Sequence, residues 1–287
     1  MGKLTDISYL KEIINDFDFN FSKSLGQNFL INPSVCPKIA EMGNAKKGFG
    51  IIEIGTGIGT LTVELASRAE KVLAIEIDNR LLSILGKTLK DYNNIKIINE
   101  DVMKVDLHKI IDDEFKNMDV AVCANLPYYL TSPIIMMLLE SKLPIKSITV
   151  MVQKEAAQRI CAKVGTRESG AITVAVNYYA ETEKLFDVSR GSFMPSPNVD
   201  SSVIKITLRD NTHFLNEEDE SFFFKIIKSA FSQRRKTIVN AVSSMMNIEK
   251  QKIINVLGEL NIKATVRVEE MDMEALYTFS TALKKLF

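Results

Sequence analysis

The sequence predicts an α/β fold, a doubly wound parallel sheet followed by a small all-helical domain, and three observations carry that expectation. The apolar run Gly50–Ile54 ends in Gly55-Thr56-Gly57-Ile58-Gly59 and passes into helical spacing over Thr60–Arg68, the order of a strand, a glycine turn and a helix. Further runs of strand length alternate with helical stretches as far as Leu208, and such alternation builds parallel sheets. From Arg209 onward the alternation stops and apolar residues recur at helical spacing. The expected domains are therefore residues 1–208 and 209–287.

With 287 residues, 46% hydrophobic and 25% charged, the chain can bury a large core and reads as globular. Lys plus Arg equals Asp plus Glu at 36 each, so any contact with nucleic acid must use local patches. Cys36, Cys123 and Cys161 are scattered without a CxxC pair, which predicts neither a disulfide framework nor a zinc site and suits a reducing, cytoplasmic setting. His108 and His213 are too few and too far apart to suggest a metal centre. No apolar stretch approaches the length of a membrane span.

Met1 to Phe21 reads as a polar arm with a short helix, followed by Lys23-Ser24-Leu25-Gly26-Gln27-Asn28-Phe29-Leu30, where Gly26 permits a tight turn. Asn32-Pro33 reads as an N-cap and first helical residue, launching a helix through about Met42. In the glycine turn, Thr60 stands where a dinucleotide fingerprint needs its third glycine. A turn without that fingerprint suits S-adenosylmethionine, whose sulfonium and amino-acid tail pack close to bare backbone. Lys71–Ile77 forms the next strand and brings Glu76 to its end, about twenty residues beyond the turn, where a carboxylate can accept from ribose hydroxyls. Ile95–Ile98 is followed by Asp101, able to accept from an adenine amine, and Val102, able to pack on its ring; a solvated turn acid is the alternative for Asp101.

Asp119–Ala124 leads into Asn125-Leu126-Pro127-Tyr128-Tyr129, the helix Ile134–Leu139 follows, and Ser147–Val152 is the fifth strand. An Asn carbonyl accepts hydrogen bonds, Pro127 holds Leu126 extended so that its carbonyl can point outward, and Tyr128 offers a flat face. Together these suit the exocyclic amine of a purine, although Asn and Pro also make ordinary strand-to-helix turns. Gly55, Glu76, Asp101 and Asn125 all fall at carboxyl ends of strands, where ligands bind in such sheets.

Gln153–Val164 has amphipathic helical spacing, whereas Ala171–Tyr179 alternates locally like a strand. Leu185–Val188 is a strand, Gly191–Pro197 a stiff extended loop holding Phe193 as either a core plug or a base-stacking platform, and Val199–Leu208 a final edge strand. Helices are expected over Phe222–Phe231, Ile238–Met246, Ile253–Leu257 and Met273–Leu286. Lys225, Lys228 and Arg235 can share a helix face near Arg234 and Lys236, and a solvated face is the plain reading of that cluster.

Taken together, Leu25–Leu30, Glu53–Gly59, Asn125-Leu126-Pro127-Tyr128, Phe193 with its prolines, and Phe231-Ser232-Gln233-Arg234-Arg235-Lys236 resemble the ribosomal RNA adenine N6-dimethyltransferases over nearly the whole chain, most closely their bacterial small-subunit branch. That resemblance implies a Rossmann-like, S-adenosylmethionine-dependent methyltransferase sheet, a helix at Ala171–Tyr179 and a C-terminal RNA-binding domain. It implies cofactor contacts at Asn28, Leu30, Gly55, Gly57, Glu76, Ile77, Asp101, Val102 and Asn125, and target-base contacts at Asn125, Leu126, Pro127, Tyr128 and Phe193. RNA contacts are expected at Lys23, Arg234, Arg235 and Lys236, with the small ribosomal subunit as partner of a monomeric protein.

Two departures bear on the pocket: Thr56 replaces the family's usual Pro, and Ser169-Gly170 stands where Tyr-Gly is common. The alternatives are a large-subunit rRNA adenine methyltransferase conferring antibiotic resistance and a noncatalytic ribosome-assembly factor. Gly26 and the Ser-Gln-Arg-Arg-Lys segment favour the small-subunit enzyme over the first, and Glu76, Asp101 and Asn125 argue against the second.

Overall fold

The computed structural model describes residues 1–287 except Met1, Gly2, Lys23, Ser24, Asn211 and Leu215. The chain forms two compact units, residues 1–157 with 182–208 and residues 158–181 with 209–287. The break after Leu208 coincides with the one expected from sequence, but 158–181 groups with the C-terminal helices rather than with the sheet.

In the first unit, the chain runs through α1 (Ile7–Asp16), β1 (Phe29–Leu30), α2 (Val35–Met42), β2 (Phe49–Ile54), α3 (Thr60–Ala66), β3 (Lys71–Glu76), α4 (Leu82–Thr88) and β4 (Ile95–Asn99). It continues through α5 (Leu107–Glu114), β5 (Asp119–Asn125), α6 (Thr131–Glu140), β6 (Ser147–Gln153), α7 (Lys154–Ile160), β7 (Ala180–Val188), β8 (Phe193–Met194) and β9 (Ser201–Leu208), α7 and β7 straddling the unit boundary. Seven strands make one sheet in the order β4-β3-β2-β5-β6-β9-β7, and β1 pairs with β8 in a separate antiparallel ribbon. β4, β3, β2, β5 and β6 are mutually parallel, and their near-continuous apolar runs reflect burial on both faces.

Two expectations about this sheet need correction. It is mixed, because β9 runs antiparallel to β6, and β9 is an interior strand with β7 outside it. The reason lies in β6, buried from Ser147 to Val152, which cannot be left with an open edge; Ser201 to Ile204 of β9, also buried, cover it.

The N-terminal segment is no polar arm. Asp6 caps α1 by accepting from the Ser8 and Tyr9 amides, and Leu10, Ile13 and Phe19 enter a cluster with Phe29, Ile58 and Leu85. α2 starts at Val35, later than expected, because the Asn32 side chain accepts from both the amide and the hydroxyl of Ser34, closing a turn that contains Pro33. α7 ends at Ile160, short of Val164.

The second unit holds α8 (Ala171–Tyr179), α9 (Glu217–Ser232), α10 (Ile238–Met246), α11 (Lys250–Glu259) and α12 (Met273–Lys284). α8 is the helix that the family resemblance implied against the local alternation. Thr173 to Val176 are buried consecutively, so the apparent two-face pattern marks no exposed face. Tyr178 packs among Phe214, Phe223, Phe224 and Tyr277, and the buried Glu220 accepts from the Tyr179 hydroxyl at 2.7 Å and from Tyr178 at 3.3 Å. Among the described residues no helix is long and apolar enough to cross a membrane, and no group of three or more His, Cys, Asp or Glu could hold a metal ion.

Candidate active site

The carboxyl ends of β2, β3 and β5 meet around a narrow cleft of about 90 Å³, lined by residues that include Asn28, Gly55, Gly57, Glu76, Ile77, Asn125, Leu126, Pro127 and Tyr128. The lining also includes Leu25, Gln27, Phe29 and Leu81, which sequence reasoning did not assign to a site. Ile77 is 53% exposed, so the cleft opens along its side. A larger cavity, about 480 Å³, lies between the N-terminal segment, α2 and α3, but it holds none of the predicted residues. Position at the strand ends, rather than volume, marks the narrower cleft as the candidate site.

Gly55 and Gly57 take φ of +77° and +58°, and a Cβ on Gly57 would stand 3.3 Å from the Phe29 ring. Bare backbone is therefore presented to the cleft at both positions. Glu76 anchors the turn: its Oε2 accepts from the Gly57 amide and its Oε1 from the Asp78 amide, both at 2.9 Å. Burial raises the Glu76 pKa, and these two amides oppose the rise. Each carboxylate oxygen keeps a further lone pair for a ligand hydroxyl.

Behind it, the buried Asp78 is gripped by Arg80 through Nε at 2.8 Å and a terminal nitrogen at 2.6 Å, which with the Gln27 amide at 2.7 Å holds its pKa down. Gln27 thus ties the N-terminal loop to the end of β3. An acid two residues beyond Glu76 was the available sequence signal for Asp78.

Asn125 ends β5 and donates its side-chain amide to the Asn28 carbonyl at 3.3 Å. That bond leaves its Oδ1 as an acceptor, with no protein donor among the described residues. Leu126 is buried and Pro127 holds an extended conformation, with φ −56° and ψ 131°. The Tyr128 hydroxyl is hydrogen-bonded to Ser201 at 2.8 Å, and burial raises its pKa. Tyr129, 56% exposed, stands beside Gly26 with its ring 3.6 Å from where a Cβ would lie.

Four of the predicted residues do not line this cleft. Leu30 and Phe193 are buried partners in the β1–β8 ribbon, so Phe193 is the core plug of the two alternatives; a stacking platform would need an open ring face. Val102 is buried and Asp101 caps a short turn, its Oδ1 accepting from the Met103 amide at 3.0 Å. In the second unit, Arg234 is paired with Glu269 at 3.1 Å and donates to the Arg167 carbonyl, whereas Arg235 and Lys236 are exposed beyond the end of α9. These three lie in a turn rather than on the helix face. Lys23 falls outside the described residues. Of the two departures, Thr56 is buried with no partner for its hydroxyl among the described residues, and Ser169 is buried, accepting from the Thr166 amide and donating to the Lys163 carbonyl.

A seven-stranded sheet with β9 reversed beside β6, a glycine turn without the pyrophosphate fingerprint and an amide at the end of the adjacent strand define a Rossmann-like methyltransferase. The ribosomal RNA adenine dimethylase family matches residues 18–285, and the chain belongs to that family. The ribosomal RNA small subunit methyltransferase A of Geobacillus sp. (strain WCH70) is 48% identical over 278 residues, covering 96% of this chain and 95% of that protein. A dimethyladenosine transferase from Plasmodium falciparum has a similar structure, with a TM-score of 0.75 at 28% identity over 90% of this chain and 98% of that one. The 23S rRNA methyltransferase ErmE gives 0.67 at 25% identity over 90% of this chain and 100% of that one.

Proposed function

We propose that this protein dimethylates N6 of two adjacent adenines in a loop near the 3′ end of small-subunit rRNA, using S-adenosylmethionine, as a cytoplasmic monomer acting during small-subunit biogenesis. The observation that carries the reading is the Asn125 carboxamide, whose nitrogen is committed to the Asn28 carbonyl and whose oxygen is left as an acceptor. An adenine amine is a poor nucleophile because its lone pair is delocalised into the ring. Acceptors at Asn125 Oδ1 and the Leu126 carbonyl can hold the amine hydrogens and turn the lone pair toward an electrophile, so alignment does most of the work.

The cleft fits S-adenosylmethionine through two bare glycine positions and the spare lone pairs of Glu76. That cofactor, when bound, supplies an electrophilic methyl group on a sulfonium. The chain's own part is to orient the amine and to exclude water through the buried Leu126 and the part-buried Tyr128. Tyr128, braced by Ser201, can replace the stacking that an adenine loses on leaving its RNA context. The choice of small-subunit RNA draws on the 48% identity to the Geobacillus methyltransferase, against 25% to ErmE.

The test is nucleoside mass spectrometry of ribosomal subunits lacking these methylations, after incubation with labelled S-adenosylmethionine. Dimethyladenosine on small-subunit RNA is expected with the wild type, and Asn125→Ala should lower turnover by about 10²-fold or more. Label confined to large-subunit RNA would favour the resistance-type activity. No dimethyladenosine on either RNA despite bound cofactor would leave an assembly factor.

A further inference from the structure

Cationic side chains of the second unit sort into two sets. Arg209, Arg234 and Lys284 are committed to carboxylates: Arg209 to Glu181 at 4.0 Å, Arg234 to Glu269 at 3.1 Å, and Lys284 to Glu218 at 3.1 Å and to Asp219. Lys236 and Lys250, both exposed, make no ion pair among the described residues.

These two lysines share one place. Asn240, Ser243 and Ser244 lie on one face of α10 by their three- and four-residue spacing, and Lys236 stands just before that helix. Asn247, at φ 54°, turns the chain after α10, and α11 begins with Lys250. The five side chains line an open hollow of about 510 Å³ that has no acidic and no aromatic residue in its wall. Ser244 Oγ accepts from the Gln233 amide at 3.5 Å, which leaves its own proton to donate, and the Ser243 hydroxyl has no partner among the described residues. The hollow thus offers two ammonium groups and a row of neutral donors, with no acid to repel an anion and no ring to stack a base.

We propose that this hollow seats the phosphodiester backbone of the RNA substrate, with Lys236 and Lys250 neutralising phosphates and Ser243, Ser244 and Asn240 donating to non-bridging oxygens. Such contacts fix register and orientation without reading sequence. The inference rests on the small-subunit rRNA reading and deepens it. It adds Asn240, Ser243, Ser244 and Lys250 to the RNA contacts expected from sequence and removes Arg234, whose charge Glu269 already neutralises.

The experiment measures binding of the full-length protein to a transcript of the small-subunit rRNA 3′ domain across a salt series. For Lys236→Gln/Lys250→Gln, the slope of log affinity against log salt should become shallower by about 1.4 to 1.8, two contacts at roughly 0.7 to 0.9 each, with affinity about tenfold weaker at fixed salt. Lys236→Arg/Lys250→Arg should restore both. Ser243→Ala/Ser244→Ala should weaken binding without moving the slope, and Arg234→Gln should leave the slope at its wild-type value. S-adenosylmethionine affinity and melting temperature, measured alongside, certify that each variant is folded.

An unchanged slope in the double glutamine variant, with wild-type protein that binds and methylates small-subunit RNA, overturns the phosphate seat and leaves the proposed activity standing. Wild-type protein that fails to methylate small-subunit RNA overturns that activity itself. A variant that loses affinity for inorganic phosphate alone, with RNA binding intact, identifies a small-anion site and also overturns the proposal.

Discussion

Glu76 has two jobs, because the carboxylate that can receive ribose hydroxyls also holds the amides of Gly57 and Asp78. Glu76→Ala removes both functions, whereas Glu76→Gln keeps the volume but replaces one acceptor with a donor that must meet a backbone N–H. Both variants should weaken S-adenosylmethionine binding by about 1.5 to 3 kcal/mol by calorimetry, and both should melt earlier than wild type. Unchanged affinity in both would remove the ribose role.

At this scale the sequence was most legible where chemistry and strand end coincide, as at Gly55, Glu76 and Asn125. It was least legible where a partner lies far along the chain. Nothing near Arg234 shows that Glu269 will neutralise it, and nothing near Phe193 shows that Leu30 will pair with it.

Among the elements, the turn between β2 and α3 is the one whose backbone permits no ordinary side chain. Gly57→Ala would force a Cβ into the left-handed region and against the Phe29 ring. Chemical denaturation should show a loss of about 1 to 2 kcal/mol, and cofactor affinity should fall with it. The strands and helices around this turn were readable because burial on both faces writes continuous apolar runs. Elements whose surroundings come from distant sequence were not. The place of β9 inside the sheet follows from the open side of β6, and α8 is helical despite its alternation because other helices bury consecutive residues on it.

For the whole molecule, the sheet carries a pH dependence in its centre. Glu53, 1% exposed on β2 and opposite Cys123, has its pKa pushed up to about 8 by burial, with the Thr62 hydroxyl opposing the shift and the Glu76 charge adding to it. Between the ordinary carboxylate value and about 8 the folded state holds a proton that the unfolded chain has released. Stability should therefore fall as pH rises through that window, with a slope of at most about 1.4 kcal/mol per pH unit, and then level off. Glu114 and Asp187, held near 2 by lysines and, at Asp187, first by the Ser202 hydroxyl, act oppositely and only in acid, where their protonation costs stability. Melting temperatures from about pH 5 to 8 should decline in the wild type and flatten in Glu53→Gln; equal slopes would remove Glu53 as the cause.

The β1–β8 ribbon sets the order in which the site can exist. Asn32 bonds Ser192 across 160 residues of chain, and Phe29 and Leu30 pair with Met194 and Phe193, so the loop covering the cleft is fastened by a late segment. During synthesis, the glycine turn, Glu76 and Asn125 all leave the ribosome before that fastening can be made. Non-local pairings of this kind are slow to form because loop closure must come first. A nascent chain thus possesses the groups of the site well before it possesses the site, and the ability to grip a methyl donor reports that almost the entire sheet has already been made.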